Sequence, residues 1–87
     1  MYHWSDIDLG GFRILARVRK DFFPDLYPYR MNEQELMNYS AYTLPIKGAY
    51  LEMLKGLLEV PELSDCYSCL SFMLEHKVKL EQEAMIE

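Results

Sequence analysis

The chain reads as short apolar runs separated by turn residues, and the period of those runs changes several times. Residues 1–7 are nearly continuous in apolar or aromatic side chains (Tyr2, His3, Trp4, Ile7). Near-continuity of this kind predicts a strand covered on both faces, as in a parallel sheet. Gly10 and Gly11 follow, where a sharp turn can form and backbone N–H groups can approach an anion. From 12 to 22 the period becomes helical, with Ile14, Leu15, Val18 and Phe22 on one stripe and Arg13, Arg17 and Lys20 on another. Pro24 stops that helix.

Residues 27–31 predict a second short strand, held to an edge or a late start by Pro28. Asn32, Glu35, Met31 and Leu36 then spell a capping box with a hydrophobic staple, so a helix is expected over 32–39. A loop over 40–45, anchored by Tyr42 and Leu44, leads to a helix over 46–59 carrying Tyr50, Leu51, Leu54, Leu57 and Leu58. Pro61 ends it, and Ser64 opens a further helix with Tyr67, Leu70, Leu74 and Val78 on one face. Around 76–79 the pattern allows either continuation or a break before a final short helix over 80–86. The fold class is therefore α/β and predominantly helical, with two short parallel strands and four to five helices in a single domain over 1–87.

Eighty-seven residues allow one small core, and the 51% hydrophobic content supplies it. No apolar run approaches the roughly 20 residues of a membrane span, and the expectation is a cytoplasmic protein. The formal net charge of −5 argues against a polyanion partner, but its distribution weakens that objection. Arg13, Arg17, Arg19 and Lys20 cluster in one segment, while Glu59, Glu62, Asp65, Glu75, Glu81, Glu83 and Glu87 crowd the other end. Such asymmetry can steer DNA to one face. The bland reading of the Arg13, Arg17, Lys20 stripe is a solvated helix face paired with nearby acids.

Asp6 and Asp8 stand two apart at the end of the first strand, where side chains at i and i+2 share a face. Two hard carboxylates converging there suit Mg²⁺ or Mn²⁺. An Asp-x-Asp before glycine is also a common surface turn. Cys66-x-x-Cys69 invites a zinc or redox reading, but its place on a helical stripe favours core packing. His3 and His76 have no evident Ser or Cys nucleophile to pair with.

Asp6-x-Asp8-x-x-Gly11 has the pattern of the second acidic motif of Toprim domains. The longer string His3-Trp4-Ser5-Asp6-Ile7-Asp8-Leu9-Gly10-Gly11-Phe12-Arg13-Ile14-Leu15 resembles the C-terminal domain of the JetD family, the nuclease subunit of Wadjet plasmid defence, which usually has Gly where Ser5 stands. Val78-Lys79-Leu80-Glu81-Gln82-Glu83 resembles that family's closing V-R-L-E-Q-E segment. The resemblance implies a partial Toprim-like fold related to the topoisomerase VI A subunit, with Asp6 and Asp8 as catalytic metal ligands. Glu81 or Glu83 would complete or support the cluster; i and i+2 on a helix do not share a face, so only one can point inward. It further implies DNA as substrate, an SMC-like ATPase complex as partner, and a glutamate on a strand upstream of Met1, without which the chain is not expected to cleave DNA. The alternative is a small non-catalytic interaction module, homodimerising through an exposed sheet edge.

Overall fold

Alternation of short apolar runs with turn residues gives a predominantly helical fold tied together by very short strands. The computed structural model of the chain describes residues 2–81. In chain order its elements are β1 (Tyr2–His3), α1 (Leu9–Asp21), β2 (Tyr27–Pro28), α2 (Glu33–Asn38), β3 (Leu44–Pro45), α3 (Ala49–Gly56), α4 (Tyr67–His76) and β4 (Val78–Lys79). 3₁₀ segments lie at Ser40–Tyr42 and Leu57–Glu59, and Pro61–Cys66 holds two 3₁₀ turns separated by a kink at Leu63.

The expected pair of parallel strands over 1–7 and 27–31 does not form at that length. Pairing contracts to Tyr2 with Tyr27 and His3 with Pro28, in parallel register. Pro28 has no N–H to extend the ladder. The remaining pairing is antiparallel and was not anticipated: Leu44 with Lys79 and Pro45 with Val78, and a separate bridge between Ile7 and Leu80. The ambiguous stretch at 76–79 resolves into a break. Lys77 adopts a left-handed conformation (φ 54°) that terminates α4 and sends the chain into β4. Of the final helix expected over 80–86, Leu80 is in the Ile7 bridge, and residues 82–87, Glu83 among them, lie outside the described residues.

α1 begins at Leu9, three residues earlier than the apolar period suggests, so Gly10 and Gly11 belong to its first turn and are not a separate turn. This shift rotates the buried face. Leu9, Gly11, Phe12 and Leu15 are buried, whereas Ile14 is 54% exposed and Phe22 72% exposed, contrary to the expected stripe. The helix over 46–59 is interrupted: Gly48 at φ 64° precedes α3, and Leu57–Glu59 continues as 3₁₀. Tyr42 and Leu44, expected as core anchors, are exposed. Half of the capping box expected at Asn32 forms, and the Glu35 carboxylate turns to Arg30 instead of the cap N–H. The Asn32 side chain accepts from Glu35 N at 3.0 Å, and Met31 and Leu36 are both buried. The Glu35 carboxylate pairs with Arg30 at 3.2 Å.

One core joins the elements. Ile7, Phe12, Leu15, Leu36, Leu54, Leu63, Leu70, Met73 and Leu80 are essentially inaccessible to solvent. Burial of such side chains contributes about 1.5–3 kcal/mol each. Arg19 is a polar tie across this frame. Its Nε and Nη2 donate to Leu26 O, and its Nη1 donates to Glu62 O. The Asp65 carboxylate completes the set with contacts of 2.7 and 2.9 Å.

Candidate metal and phosphate site

The acidic stretch sits where α1 starts. Asp8 is the N-cap of α1, and its Oδ1 accepts from Gly11 N at 2.7 Å while its carbonyl accepts from Phe12 N at 3.1 Å. A carboxylate at a helix N-terminus also gains from the helix dipole. Leu9 N donates to the Tyr50 hydroxyl at 2.7 Å. Two of the amides that a helix N-terminus leaves open, those of Leu9 and Gly11, are thus taken by the protein itself. Of the two glycine amides expected to approach an anion, that of Gly11 is committed to Asp8 Oδ1, and the helix end orients that carboxylate.

Gly11 is required by close approach and not by a turn. A Cβ there would overlap the Asp6 carbonyl oxygen and lie 2.6 Å from Ser5 Oγ. The backbone of 5–6 is consequently laid directly on the first turn of α1. His3 Nε2 stands 3.1 Å from Ser5 Oγ. Nothing in the spacing of His3 and Ser5 marks this pairing, which depends on the 5–6 backbone being laid on α1. Ser5 Oγ can donate to Asp6 O (3.3 Å) or approach Met31 Sδ (3.6 Å). With its proton on the Asp6 carbonyl, Ser5 accepts from the histidine, an assignment that makes the pair a strut and not a base with its nucleophile. Burial lowers the His3 pKa; a backbone hydrogen bond at Gly11 raises it and the Arg19 charge lowers it further.

The closing segment reaches the same place. Ile7 N donates to Leu80 O at 2.7 Å and Leu80 N to Ile7 O at 3.1 Å, with both side chains fully buried. Ile7 lies between Asp6 and Asp8, and Leu80 between Lys79 and Glu81, so the bridge brings the two motifs side by side. Asp6 and Asp8 are half-buried and Glu81 is exposed. Among the described residues no three His, Cys, Asp or Glu side chains gather closely enough to form a complete metal-binding group.

Two further residues belong to this corner. Tyr50, read from the sequence as part of an apolar stripe, is half-buried, and the Lys79 ammonium lies over its ring, 5.4 Å from the centroid. Burial raises the Tyr50 pKa, the Leu9 amide lowers it, Asp8 raises it, Arg13 lowers it and Asp6 raises it. These two acids and Arg13 therefore surround the phenol electrostatically. The only sequence signal was a tyrosine in place of leucine at one position of the stripe.

Arg13, Arg17 and Lys20 line one wall of an open groove whose other wall includes Leu57, Val60 and Glu62. Arg17 approaches Asp21 at 3.9 Å with its side chain largely exposed. The three expected phosphate contacts are thus brought together, with acids in the same groove. Cys66 and Cys69 are buried free thiols; burial pushes Cys66 up to about 12 and raises Cys69 as well. Neutral buried thiols fit packing, as their stripe implied.

No helix among the described residues is long and apolar enough to cross a membrane. No solved structure matches the chain. Among curated proteins it is similar to the Wadjet protein JetD of Bacillus cereus (strain Q1), with 30% identity over 86 residues, or 99% of this chain and 21% of that protein. The chain therefore spans about a fifth of the length of this relative. The family model for the C-terminal part of the Wadjet protein JetD matches residues 1–87, and the chain belongs to that family.

Proposed function

We propose that the chain is the C-terminal part of a Toprim-type, metal-dependent DNA nuclease domain acting in plasmid defence. Asp6 and Asp8 would hold Mg²⁺ or Mn²⁺, with Glu81 entering from the closing segment. The observation that carries this reading is the Ile7–Leu80 bridge, because it joins the Asp-x-Asp stretch to Leu80, which opens the closing motif and is otherwise separated from it by most of the sequence. The donor set suits the ion: carboxylate oxygens are the hard ligands that Mg²⁺ accepts, and the ion needs only one or two of them. When bound, the metal supplies charge neutralisation at a phosphodiester.

The residues of this chain do the positioning. The Gly11 amide fixes Asp8 Oδ1, and the packing of Gly11 beneath the Asp6 carbonyl fixes the backbone between the acids. Arg13, Arg17 and Lys20 extend the contact along the DNA backbone, so binding should weaken steeply with salt. With two or three carboxylates from this chain, the remaining positions fall to water, phosphate or another polypeptide segment. An SMC-like ATPase complex as partner is what the family resemblance implies, and a cytoplasmic location is part of the same proposal.

The test is Mn²⁺ binding, measured by electron paramagnetic resonance, for the native chain and for Asp6→Asn plus Asp8→Asn. Loss of binding in the double variant, with an unchanged helical circular dichroism spectrum, supports the reading. Equal binding by the two proteins removes it.

A further inference from the structure

Tyr50 is placed in the first turn of α3 with its hydroxyl oxygen 2.7 Å from the Leu9 amide, one residue beyond Asp8. That amide donates, so the phenol oxygen accepts and its own proton remains to be given. Among the described residues the Tyr50 hydroxyl donates to none. A phenylalanine would supply the same apolar surface without the cost of desolvating a hydroxyl. The ring is covered by the Lys79 ammonium, and Lys79 precedes the Leu80 that pairs with Ile7. A cation–π contact leaves the ammonium N–H groups available. The corner therefore offers one oriented O–H donor and one positive charge beside the 6–8 stretch.

We propose that Tyr50 is a positioning residue for the nucleic-acid backbone, donating its hydroxyl proton to a non-bridging phosphodiester oxygen beside Asp8, with Lys79 supplying the adjacent positive charge. This rests on the metal-site reading above and adds to it the groups that recognise the phosphate. The Leu9 amide fixes the direction of the remaining proton, which a freely rotating surface tyrosine would not have. Lys79 is held by the ring and by the pairing of β4 with β3.

The experiment uses the full 87-residue chain labelled with 3-fluorotyrosine, the Tyr50 resonance being identified by its absence from Tyr50→Phe. A short duplex DNA is added in the presence of Mg²⁺, and duplex and Mn²⁺ affinities are measured for the native chain, Tyr50→Phe and Lys79→Gln. The Tyr50 line is expected to shift on addition of duplex. Both variants are expected to bind duplex about tenfold less tightly, the loss of one charge-assisted hydrogen bond, while holding Mn²⁺ as the native chain does. Thermal melting monitors loss of the Leu9 contact, and Lys79→Gln, which leaves the Leu9–Tyr50 bond in place, keeps the test valid if Tyr50→Phe folds poorly. An unmoved Tyr50 line, undiminished duplex affinity in the variants, or a native chain that binds Mn²⁺ but no duplex overturns the proposal. If Asp6→Asn plus Asp8→Asn binds Mn²⁺ normally, the underlying metal reading fails instead.

Discussion

Gly11 lies so close beneath the Asp6 carbonyl that no Cβ fits between them. The neighbouring Gly10 is different: a Cβ there would meet only Asp8 Oδ1, at an ordinary 3.6 Å. Gly11→Ala should therefore destabilise the protein by about 1–3 kcal/mol or more, since the obstacle is backbone and cannot rotate away. Gly10→Ala should be neutral or stabilising by up to about 1 kcal/mol, through helix propensity. Urea unfolding of the two variants checks the contrast; equal effects would mean that the close approach is not maintained in solution.

Asp8 is the N-cap of α1 and the proposed metal ligand, and substitution can separate the two. As an N-cap it needs only an oxygen acceptor, which asparagine provides; as a metal ligand it needs charge. Asp8→Asn should keep stability within about 0.5 kcal/mol and weaken Mn²⁺ binding, whereas Asp8→Ala should also lose about 1 kcal/mol of stability. Parallel unfolding and metal titrations of both variants measure the split.

Arg19 gathers two main-chain carbonyls and the Asp65 carboxylate through one planar group. A lysine retains the charge but cannot reproduce that fork. Arg19→Lys should cost about 2 kcal/mol, read as a fall in Tm of roughly 8–16 °C for a domain of this size. A melting curve like the native one would show that the clamp contributes little.

The pKa of His3 is lowered in the folded chain, chiefly by burial. Protonation therefore favours the unfolded state. Its contribution to stability is intact above the unfolded value near 6.5 and is lost as pH falls from there towards the lower folded value. Urea unfolding between pH 7.5 and 5 should show falling stability, and His3→Gln should flatten that slope. An identical slope in the variant would assign the effect elsewhere.

The capping signal at Asn32 and the staple of Met31 with Leu36 were legible because every group involved lies within a few residues. The α1 face was only half legible. Leu15 obeyed the period, but Ile14 and Phe22 did not, because Asp8 starts the helix earlier and Gly11 must face the Ser5–Asp6 backbone. No local pattern contains the Ile7–Leu80 register, so the strand at β4 read as helix. Tyr50 was hidden for a related reason: its spacing fits the apolar stripe, and only the distant Leu9 amide and Lys79 give its hydroxyl and ring a second use. The acidic motif itself was visible at once, since two carboxylates and a glycine at fixed spacing need no tertiary information.

The Ile7–Leu80 bridge also sets the order in which this corner can assemble. During synthesis the Asp-x-Asp stretch leaves the ribosome long before Leu80, and α1 can be capped by Asp8 while its later neighbour is still unmade. The two main-chain bonds that bring Lys79 and Glu81 alongside it must wait for nearly the whole described sequence. Contacts of such high sequence separation form late and slow folding. The two motifs are therefore laid side by side only after the helices have packed, so a nascent chain carries them apart until Leu80 has been made.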